Sequence, residues 1–459
     1  MYLPLRSPKR RLSFTPAQVL VLGFAGLSFV GSLLLWAPFS QEPGRHISYL
    51  DALFTATSAT CVNGLAVVDT ASQFSTTGEL IILALIQAGG LGIMTLSALM
   101  FMLMGKRITL RERLMMQEAL GSFSIAGVVR LTRNIILTTL GIEAVGVLLL
   151  ALRFALEYPL AKAWYWGLFL GISAYNNAGF DVTSVSLRSF SRDPFVLFVI
   201  GMLITLGGIG YMVLEDLWRN RHRRDNLSLH TRLVVRVTLW IIGVGTLLLL
   251  ALEWGNPNTF GNLPWYHKIV NAWFAAVTPR SGGFESVPTG MMLDASLLVT
   301  MIIMFVGASP GGTGGGIKTT TFAMLGLVVR KTARGMEEIQ VMDRQLPRDL
   351  VDKALTITVI VLALVITGTG ILLVTEGPSM RDPAHPVTFI QILFEVISAV
   401  GNVGLSTGLT PRLSPIGRVL IIVMMFIGRV GPLTMATALA QRKSARSPLH
   451  YPEDRVMIG

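Results

Sequence analysis

The chain has 459 residues, 52% of them hydrophobic and 14% charged, a composition that excludes an ordinary soluble domain. The formal net charge of +12 does not indicate nucleic-acid binding, because Lys and Arg cluster just outside apolar runs of membrane-spanning length. The single cysteine, Cys61, excludes a disulfide within the chain. These features predict a multi-pass membrane protein surrounded by lipid, with both termini on the basic, cytoplasmic side.

The apolar runs divide the chain into four repeats, each predicted to hold a spanning helix, a short re-entrant helix and a second spanning helix. The repeats cover residues 17–105, 129–218, 232–334 and 350–441, between cytoplasmic segments at 1–16 and 442–459. The apolar stretch after the basic N-terminal segment has no small-residue cleavage site, which indicates a retained first span and not a signal peptide.

The re-entrant helices, at about residues 48–60, 162–175, 264–278 and 385–400, are too short to cross a membrane. Counting them as full spans would also place successive basic loops on opposite sides of the membrane. We therefore expect an all-α membrane protein with eight transmembrane helices and four re-entrant pore loops around a central pore.

A short segment recurs in every repeat directly after the re-entrant helix and ends in an aligned glycine. These glycine segments are Thr60, Cys61, Val62, Asn63 and Gly64; Tyr175, Asn176, Asn177, Ala178 and Gly179; Pro279, Arg280, Ser281, Gly282 and Gly283; and Val400, Gly401, Asn402, Val403 and Gly404. The residue ten positions before each aligned glycine is aromatic: Phe54, Phe169, Trp273 and Phe394. Six positions before lie Ser58, Ser173, Val277 and Ser398. This register predicts that the same local structure, a short helix followed by a glycine segment, occurs four times.

The glycine segments are suited to bind a cation. Glycine permits the positive φ angles that aim consecutive carbonyls in one direction, and a ring of carbonyls can replace the water shell of a cation. The re-entrant helices would point their partially negative C-terminal ends at the same place. Glycines that only allow close helix packing are the alternative. Four segments in register favour a cation selectivity filter.

A glycine-rich stretch interrupts the predicted sixth span, because Pro310 and the five glycines that follow it cannot maintain a regular helix. It contains Gly311, Gly312, Thr313, Gly314, Gly315 and Gly316, and Lys318 follows. It is not a phosphate-binding P-loop, because Ile317 separates the last glycine from the lysine. It is either a broken helix without a further role or a flexible segment at the mouth of an ion path.

Arg429 lies midway along the last predicted span, where a charge facing lipid costs at least ~2.5–3.5 kcal/mol, so it should face the interior. We expect a positive charge beneath the glycine segments that raises the barrier to cation passage. A buried ion pair with Glu143 or Glu395 is the alternative.

The remaining polar residues carry weaker signals. Asp51, Asp69, Asp181 and Glu285 lie near the glycine segments and either concentrate cations at an outer mouth or are ordinary solvated loop charges. His46, His267 and His385 precede the re-entrant helices without metal-ligand spacing. The sequence shows no nucleophile–base pair, so we expect neither an enzyme nor an organic cofactor.

This organisation resembles the Trk/Ktr/HKT superfamily of potassium transporters, whose single subunit carries four membrane–pore–membrane units. The resemblance covers nearly the whole chain, and without an additional N-terminal helix pair it is closer to the KtrB branch than to the longer TrkH branch. It implies that residues 307–321 form an intramembrane gate loop under the filter, with Arg429 adjacent. We assign Lys318 to this gate as well, and the alternative is that its side chain points to the cytoplasmic side of the loop. The resemblance also implies a homodimer with one pore per protomer and a KtrA-like cytosolic nucleotide-binding ring that controls opening.

The resemblance therefore implies passive, K⁺-selective uptake across a bacterial plasma membrane, driven by about 2.3 kcal/mol per charge per 100 mV. The transported K⁺ would bind the backbone of the glycine segments, and the sequence leaves Na⁺ dependence open. A TrkH-like transporter and the potassium-binding subunit of a pump are the alternatives. An ion-coupled transporter with inverted repeats fits less well, because the four repeats run in the same sense.

Overall fold

The computed structural model describes residues 15–92, 95, 128–222, 226–335, 340–341, 344–345, 347–377, 387–431 and 434–435. Within them the regular secondary structure is helical apart from two short antiparallel strands, Gln340–Val341 and Arg344–Gln345. The predicted segment 442–459 and most of segment 1–16 lie outside the described residues. So do several stretches of the predicted repeats, at 93–94, 96–105, 378–386, 432–433 and 436–441.

The longer helices follow one another in an order that repeats along the chain. They are α1 Pro16–Trp36, α2 Tyr49–Thr60, α3 Thr76–Leu91, α4 Val128–Phe154, α5 Leu160–Tyr175, α6 Pro194–Ile209, α7 Tyr211–Arg219, α8 Leu229–Glu253, α9 Trp265–Val277, α10 Asp294–Val306, α11 Thr319–Ala333, α12 Arg348–Thr375, α13 Phe389–Gly401 and α14 Pro415–Val430. Shorter turns lie in the connections, at Pro38–Ser40, Thr70–Gln73, Ser186–Phe190, Thr289–Met291 and Thr410–Arg412.

The first helix of each repeat is of membrane-spanning length. Among the described residues, four helices are long and apolar enough to cross a membrane: Ala17–Trp36, Val129–Phe154, Leu229–Glu253 and Asp349–Thr375. The pair α6 and α7 becomes a fifth if the two are counted as one span, although they are bent by 98°. The expectation of eight full spans therefore stays a prediction.

The second helix of each repeat, α3, α6, α10 or α14, ends early at a glycine with positive φ. These glycines are Gly92 (79°), Gly210 (95°), Gly307 (64°) and Gly431 (91°). Glycine adopts this backbone conformation without the steric penalty of a side chain. The second helix of each repeat therefore stops at this glycine, an interruption that the sequence predicted only for the third repeat.

The re-entrant helices correspond to α2, α5, α9 and α13, here called the pore helices, and their bounds lie within a few residues of those expected. Polar side chains cap the N-termini of two of these helices. Ser48 caps α2 by accepting from the backbone N–H of Asp51, and Thr388 forms a capping box with Gln391 at the start of α13. Each pore helix ends where a glycine segment begins.

The helices contact one another in a closed circle. Within each repeat the first helix packs against its own pore helix, in the pairs α1–α2, α4–α5, α8–α9 and α12–α13. The second helix then packs against the pore helix of the next repeat, in the pairs α3–α5, α6–α9 and α10–α13. The contact of α14 with α2 joins the last repeat to the first. The pore helices are thus held from both sides, and their C-terminal ends converge.

Candidate functional site

The four aligned glycines lie together at the centre of this circle. A methyl group built on Gly64 would lie 3.2 Å from the Cα atoms of both Gly179 and Gly404. One built on Gly179 would lie 2.8 Å from the Cα atom of Gly283. The repeats are therefore arranged around the circle in the order in which they occur along the chain. The four glycine segments predicted from the sequence are neighbours in space.

Each glycine segment contains two residues with positive φ, at the aligned glycine and two positions before it. The φ angles of the aligned glycines are 95°, 69°, 73° and 90° in chain order, and those of Val62, Asn177, Ser281 and Asn402 are 55°, 59°, 71° and 48°. For a β-branched residue such as Val62 this conformation is a steric outlier. Such strain, of order 1–3 kcal/mol per residue, persists where the surroundings over-determine the backbone.

The carbonyl of the residue before each aligned glycine faces the glycine of the preceding repeat. A methyl group on Gly64 would lie 2.5 Å from the Ala178 oxygen, and one on Gly179 would lie 3.2 Å from the Gly282 oxygen. The Val403 oxygen faces Gly283 in the same way at 2.8 Å, and the Asn63 oxygen faces Gly404. Four uncharged backbone oxygens, one from each repeat, thus surround the centre, which is the type of ligand set that coordinates alkali cations.

Hydroxyl groups attach each glycine segment to its pore helix. The Ser58 hydroxyl accepts from the Gly64 N–H, and the Ser398 hydroxyl accepts from the Gly404 N–H, both at 3.1 Å. The Ser173 hydroxyl donates to the carbonyl after the second aligned glycine, at 2.7 Å. Backbone N–H and C=O groups in non-helical chain at membrane depth need such partners, because lipid offers none.

In the third repeat this attachment is made by Thr278, and the alignment with Val277 is wrong. The Thr278 hydroxyl donates to the Phe284 carbonyl at 2.8 Å, and the Thr278 carbonyl accepts from the Gly282 N–H at 2.7 Å. In the first repeat the corresponding backbone bond spans one residue more, from the Asn63 N–H to the Ser58 carbonyl. The third segment is therefore one residue shorter.

The same shift corrects the aromatic position in the third repeat. Phe54, Phe169, Phe274 and Phe394 are fully buried, one on each pore helix. Trp273, which the sequence alignment placed in this set, stacks on Phe198 with ring centroids 5.8 Å apart. Phe274 is therefore the structural equivalent of the other three phenylalanines.

The other predicted filter residues lie at the C-terminal end of a pore helix or between it and the first residue with positive φ. All are buried: Thr60, Cys61, Tyr175, Asn176, Pro279, Arg280, Val400 and Gly401. Thr60, Tyr175 and Val400 share a further feature, because their carbonyls are covered by glycines of the second helices. The side chains of Asn176 and Arg280 point away from the aligned glycines, as their partners on α4 and α8 show.

Three glycines of the second helices are functional candidates that the sequence reasoning missed. A methyl group on Gly89, Gly207 or Gly428 would overlap the carbonyl oxygen of Thr60, Tyr175 or Val400, respectively. Each lies three residues before the glycine that ends its helix. The recurring glycine pair at this spacing was a detectable signal, which only the third repeat lacks, since Met304 lies at this position.

Residues 307–318 form a non-helical loop packed against the glycine segments, and α11 begins at Thr319. The Thr313 N–H donates to the Gly207 carbonyl at 3.1 Å, and its hydroxyl donates to the Tyr175 carbonyl at 3.3 Å. The Gly315 N–H donates to the Ser281 hydroxyl at 3.0 Å. The loop is thereby attached to the second and third glycine segments. The expected boundary at residue 321 is three residues too long.

The glycines of this loop allow its close approach. A methyl group on Gly312 would lie 2.7 Å from the Gly208 oxygen, and one on Gly315 would lie 2.5 Å from the Gly401 oxygen. Gly311 and Gly316 have φ angles of 74° and 83°. Gly314 is enclosed by Ala308 and Ser281, and its carbonyl accepts from the Lys318 ammonium group at 2.6 Å. Lys318 therefore closes the loop on itself, and its assignment to a gate stays a prediction.

Arg429 links this loop to the first repeat. Its guanidinium donates to the carbonyls of Thr313 and Gly89. The alternative of an ion pair is not observed among the described residues, because Glu143 accepts from two side-chain amides and Glu395 accepts from groups of the loop after the fourth glycine segment. A cavity of about 170 Å³ lies beside this contact, lined by Arg429, Thr313, Tyr175, Asn176, Thr139 and Tyr211 among others.

The acidic residues near the outer ends of the glycine segments are engaged locally. Asp51 pairs with Arg418, and Glu285 pairs with Arg188, each at 2.5 Å. Asp69 caps the turn at residues 70–73. Asp181 accepts from the backbone and hydroxyl of Thr183, while its burial raises the pKa of its carboxyl. Two of the four charges are therefore neutralised by arginines, which weakens the interpretation as a free acidic mouth.

The shifted register in the third repeat can be tested by substitution. Thr278→Val should leave the buried Phe284 carbonyl without its partner, at a cost of about 1–3 kcal/mol, and should lower the unfolding temperature in detergent. Thr278→Ser retains the hydroxyl and is the matched control, which should unfold near the parent. Equal unfolding temperatures for Thr278→Val and Thr278→Ser would contradict the attachment.

Comparisons with known proteins identify the family of the chain. The family model TrkH, described as cation transport protein, matches residues 11–447. The chain is 42% identical over 446 residues to Ktr system potassium uptake protein B of Bacillus subtilis (strain 168), covering 97% of both chains. It is 37% identical over 443 residues to the protein of the same name from Vibrio alginolyticus, covering 96% of this chain and 94% of that one.

The crystal structure of the potassium transporter TrkH from Vibrio parahaemolyticus has the same fold. Its TM-score is 0.73 at 18% sequence identity, over 95% of this chain and 86% of that chain. A match of the family model over nearly the whole length, together with the identity to the Bacillus subtilis protein, assigns the family. The chain belongs to the TrkH family of cation transport proteins.

Proposed function

We propose that this chain is the pore-forming subunit of a Ktr-type system for K⁺ uptake across the plasma membrane of a bacterium. The observation that carries the proposal is the circle of four backbone oxygens, from Asn63, Ala178, Gly282 and Val403, around the aligned glycines. Carbonyl oxygens replace the hydration shell of K⁺ without a fixed negative charge that would trap the ion. The names of the two Ktr relatives support K⁺ as the transported ion.

Transport in this proposal is passive and follows the membrane potential, which supplies about 2.3 kcal/mol per charge per 100 mV. The glycine segments form the selectivity filter, and the ion passes through the centre of the helix circle. The first helices are the spans that surround it. The second helices continue past their glycine breaks, which gives eight spans and four re-entrant loops with both termini in the cytoplasm.

The proposed closed state depends on the 307–318 loop. It lies against the second and third glycine segments and is held from the opposite side by the hydrogen bond between Arg429 and Thr313. Opening requires that the loop leave these partners. The guanidinium adds a positive charge on the path of the cation, which raises the barrier while the loop is in place.

The proposed assembly is a homodimer with one pore per protomer, regulated by a cytosolic nucleotide-binding ring. The family resemblance supports it, and the word "system" in the names of both Ktr relatives fits more than one component. Co-purification with a soluble nucleotide-binding protein would support this assembly. Co-purification with a P-type ATPase would favour the potassium-binding subunit of a pump. If neither protein co-purifies, a TrkH-like transporter is the better description.

Substitution of the aligned glycines tests the filter. Gly64→Ser, Gly179→Ser, Gly283→Ser or Gly404→Ser should displace the carbonyl that faces the new Cβ atom, so that Na⁺ and K⁺ compete more equally in uptake assays. Gly243→Ser is the control, because a methyl group there meets no atom within 4 Å. An unchanged K⁺ preference in all four variants would exclude the filter role.

Deletion of residues 311–316 tests the loop as a gate. The shortened connection cannot reach Ser281 and Tyr175, so uptake per folded molecule should increase and should depend less on the cytosolic partner. The amount of protein in the membrane is measured in parallel. Uptake that stays low and still requires the partner would show that the loop is only an interruption of the helix.

Substitution of Arg429 separates its charge from its hydrogen bonds. At an effective dielectric near 20, a unit charge about 8 Å from the ion contributes roughly 2 kcal/mol to the barrier, which is more than tenfold in rate. Arg429→Ala should therefore raise the maximal uptake rate more than it changes the half-saturating K⁺ concentration.

Arg429→Lys is the matched control, since it keeps the charge and cannot contact both carbonyls in the same way. A rate increase in Arg429→Ala alone supports the electrostatic barrier, and equal increases in both variants support the anchoring of Thr313. Less protein in the membrane with no gain in uptake per molecule would contradict the gate role.

A further inference from the structure

Two buried charges of opposite sign lie directly behind the glycine segments of neighbouring repeats. Glu143 on α4 contacts the second segment, and Arg280 belongs to the third. Each is only 4% exposed. Neither forms an ion pair within the described part of the chain, although burying a charge without an opposite partner is costly. The transport path described above uses neither side chain.

Glu143 is held by amides. Its Oε1 atom accepts from Asn176 Nδ2 at 2.8 Å, and its Oε2 atom accepts from Gln87 Nε2 at 3.2 Å. Asn176 Nδ2 also donates to Gln87 Oε1 at 2.9 Å. Because both carboxyl oxygens act as acceptors, the arrangement fits the ionised form. Asn176 is three positions before the second aligned glycine, so the negative charge lies one side chain behind the segment.

Arg280 occupies the same position, three residues before the third aligned glycine. Its Nη2 atom donates to the Thr238 hydroxyl on α8 at 3.2 Å, and its Nε atom has no hydrogen-bond partner among the described residues. A guanidinium cannot lose its proton under ordinary conditions. The positive charge is therefore retained behind the segment, and no carboxylate of the described residues pairs with it.

The first and fourth segments have Cys61 and Gly401 at the position of Asn176 and Arg280. The second and third segments are adjacent in the circle, so the charges flank one side of the ion path. Charges in such buried surroundings are screened far less than those on a surface, and each acts on an ion in the filter over several ångströms. Their effects on a cation are opposite in sign.

We propose that Glu143 and Arg280 are an opposed pair of charges that sets how tightly the filter holds K⁺. Glu143 favours occupancy by the cation, and Arg280 opposes it. The balance leaves the ion bound firmly enough to lose its water shell and loosely enough to leave. This inference rests on the proposed function, because it assumes that K⁺ occupies the circle of carbonyls.

A double-mutant cycle tests the opposition. Glu143→Gln should raise the half-saturating K⁺ concentration, and Arg280→Gln should lower it, each roughly tenfold for a unit charge at an effective dielectric near 20. The double variant should return towards the parent value. Arg280→Lys keeps the charge and should leave the half-saturating concentration near that of the parent.

Glu253→Gln is the matched control. It removes a buried carboxylate that is held by Asn256, Thr259 and the Leu293 N–H at the end of α8, away from the glycine segments. The half-saturating concentration should not shift in this variant. Because this concentration does not depend on how much protein folds, it remains informative when expression falls. Arg280→Met is a second neutral variant if Arg280→Gln is absent from the membrane.

The outcomes separate this inference from the proposed function. If both single variants shift the half-saturating K⁺ concentration in the same direction, the two residues only hold the backbone. The same conclusion follows if the double variant binds K⁺ more weakly than either single variant. Unchanged half-saturation in both single variants would show that the charges do not act on the ion. K⁺ uptake absent from the parent chain itself would instead overturn the proposed function.

Discussion

The whole structure depends on the close approach of four non-helical backbone segments at membrane depth. Their carbonyls can face an ion only if every other polar backbone group there finds a partner in the protein. Hydroxyl groups supply some of these partners within each repeat, and amide side chains supply others between repeats. Asn63 donates to the Ala399 carbonyl at 3.1 Å, and Asn402 donates to the carbonyls of Cys61 and Met425, so the first and last segments support each other.

The same constraint explains why so many glycines occur at the centre and why they lie on two different elements. The aligned glycines leave room for a neighbouring carbonyl, and Gly89, Gly207 and Gly428 let a second helix cover the carbonyl that ends a pore helix. A side chain on an aligned glycine would push neighbouring repeats apart, and one on Gly89, Gly207 or Gly428 would push a second helix away from the pore helix of its own repeat. The glycines that end the second helices follow one turn later, so close packing and helix termination come from a single short motif.

The sequence was sufficient for the pore helices and for the meeting of the glycine segments, because apolar periodicity and a fourfold register carry that information. It was insufficient where one residue is missing: the shorter third segment moved the equivalence from Val277 to Thr278, and a fixed spacing cannot detect this. The sequence also could not predict the positive φ of Val62, because β-branched residues rarely adopt this conformation. Hydropathy likewise did not show that the second helices break at single glycines.

Two departures from fourfold symmetry lie at the proposed gate. The third repeat replaces the covering glycine by Met304 and carries the 307–318 loop, and the fourth repeat supplies the arginine that holds this loop. A circle of carbonyls accounts for ion selection, and closing the path requires a further element. In the proposed function, the loop of the third repeat and the arginine of the fourth that anchors it form a single element with two states, which the proposed cytoplasmic partner would bias.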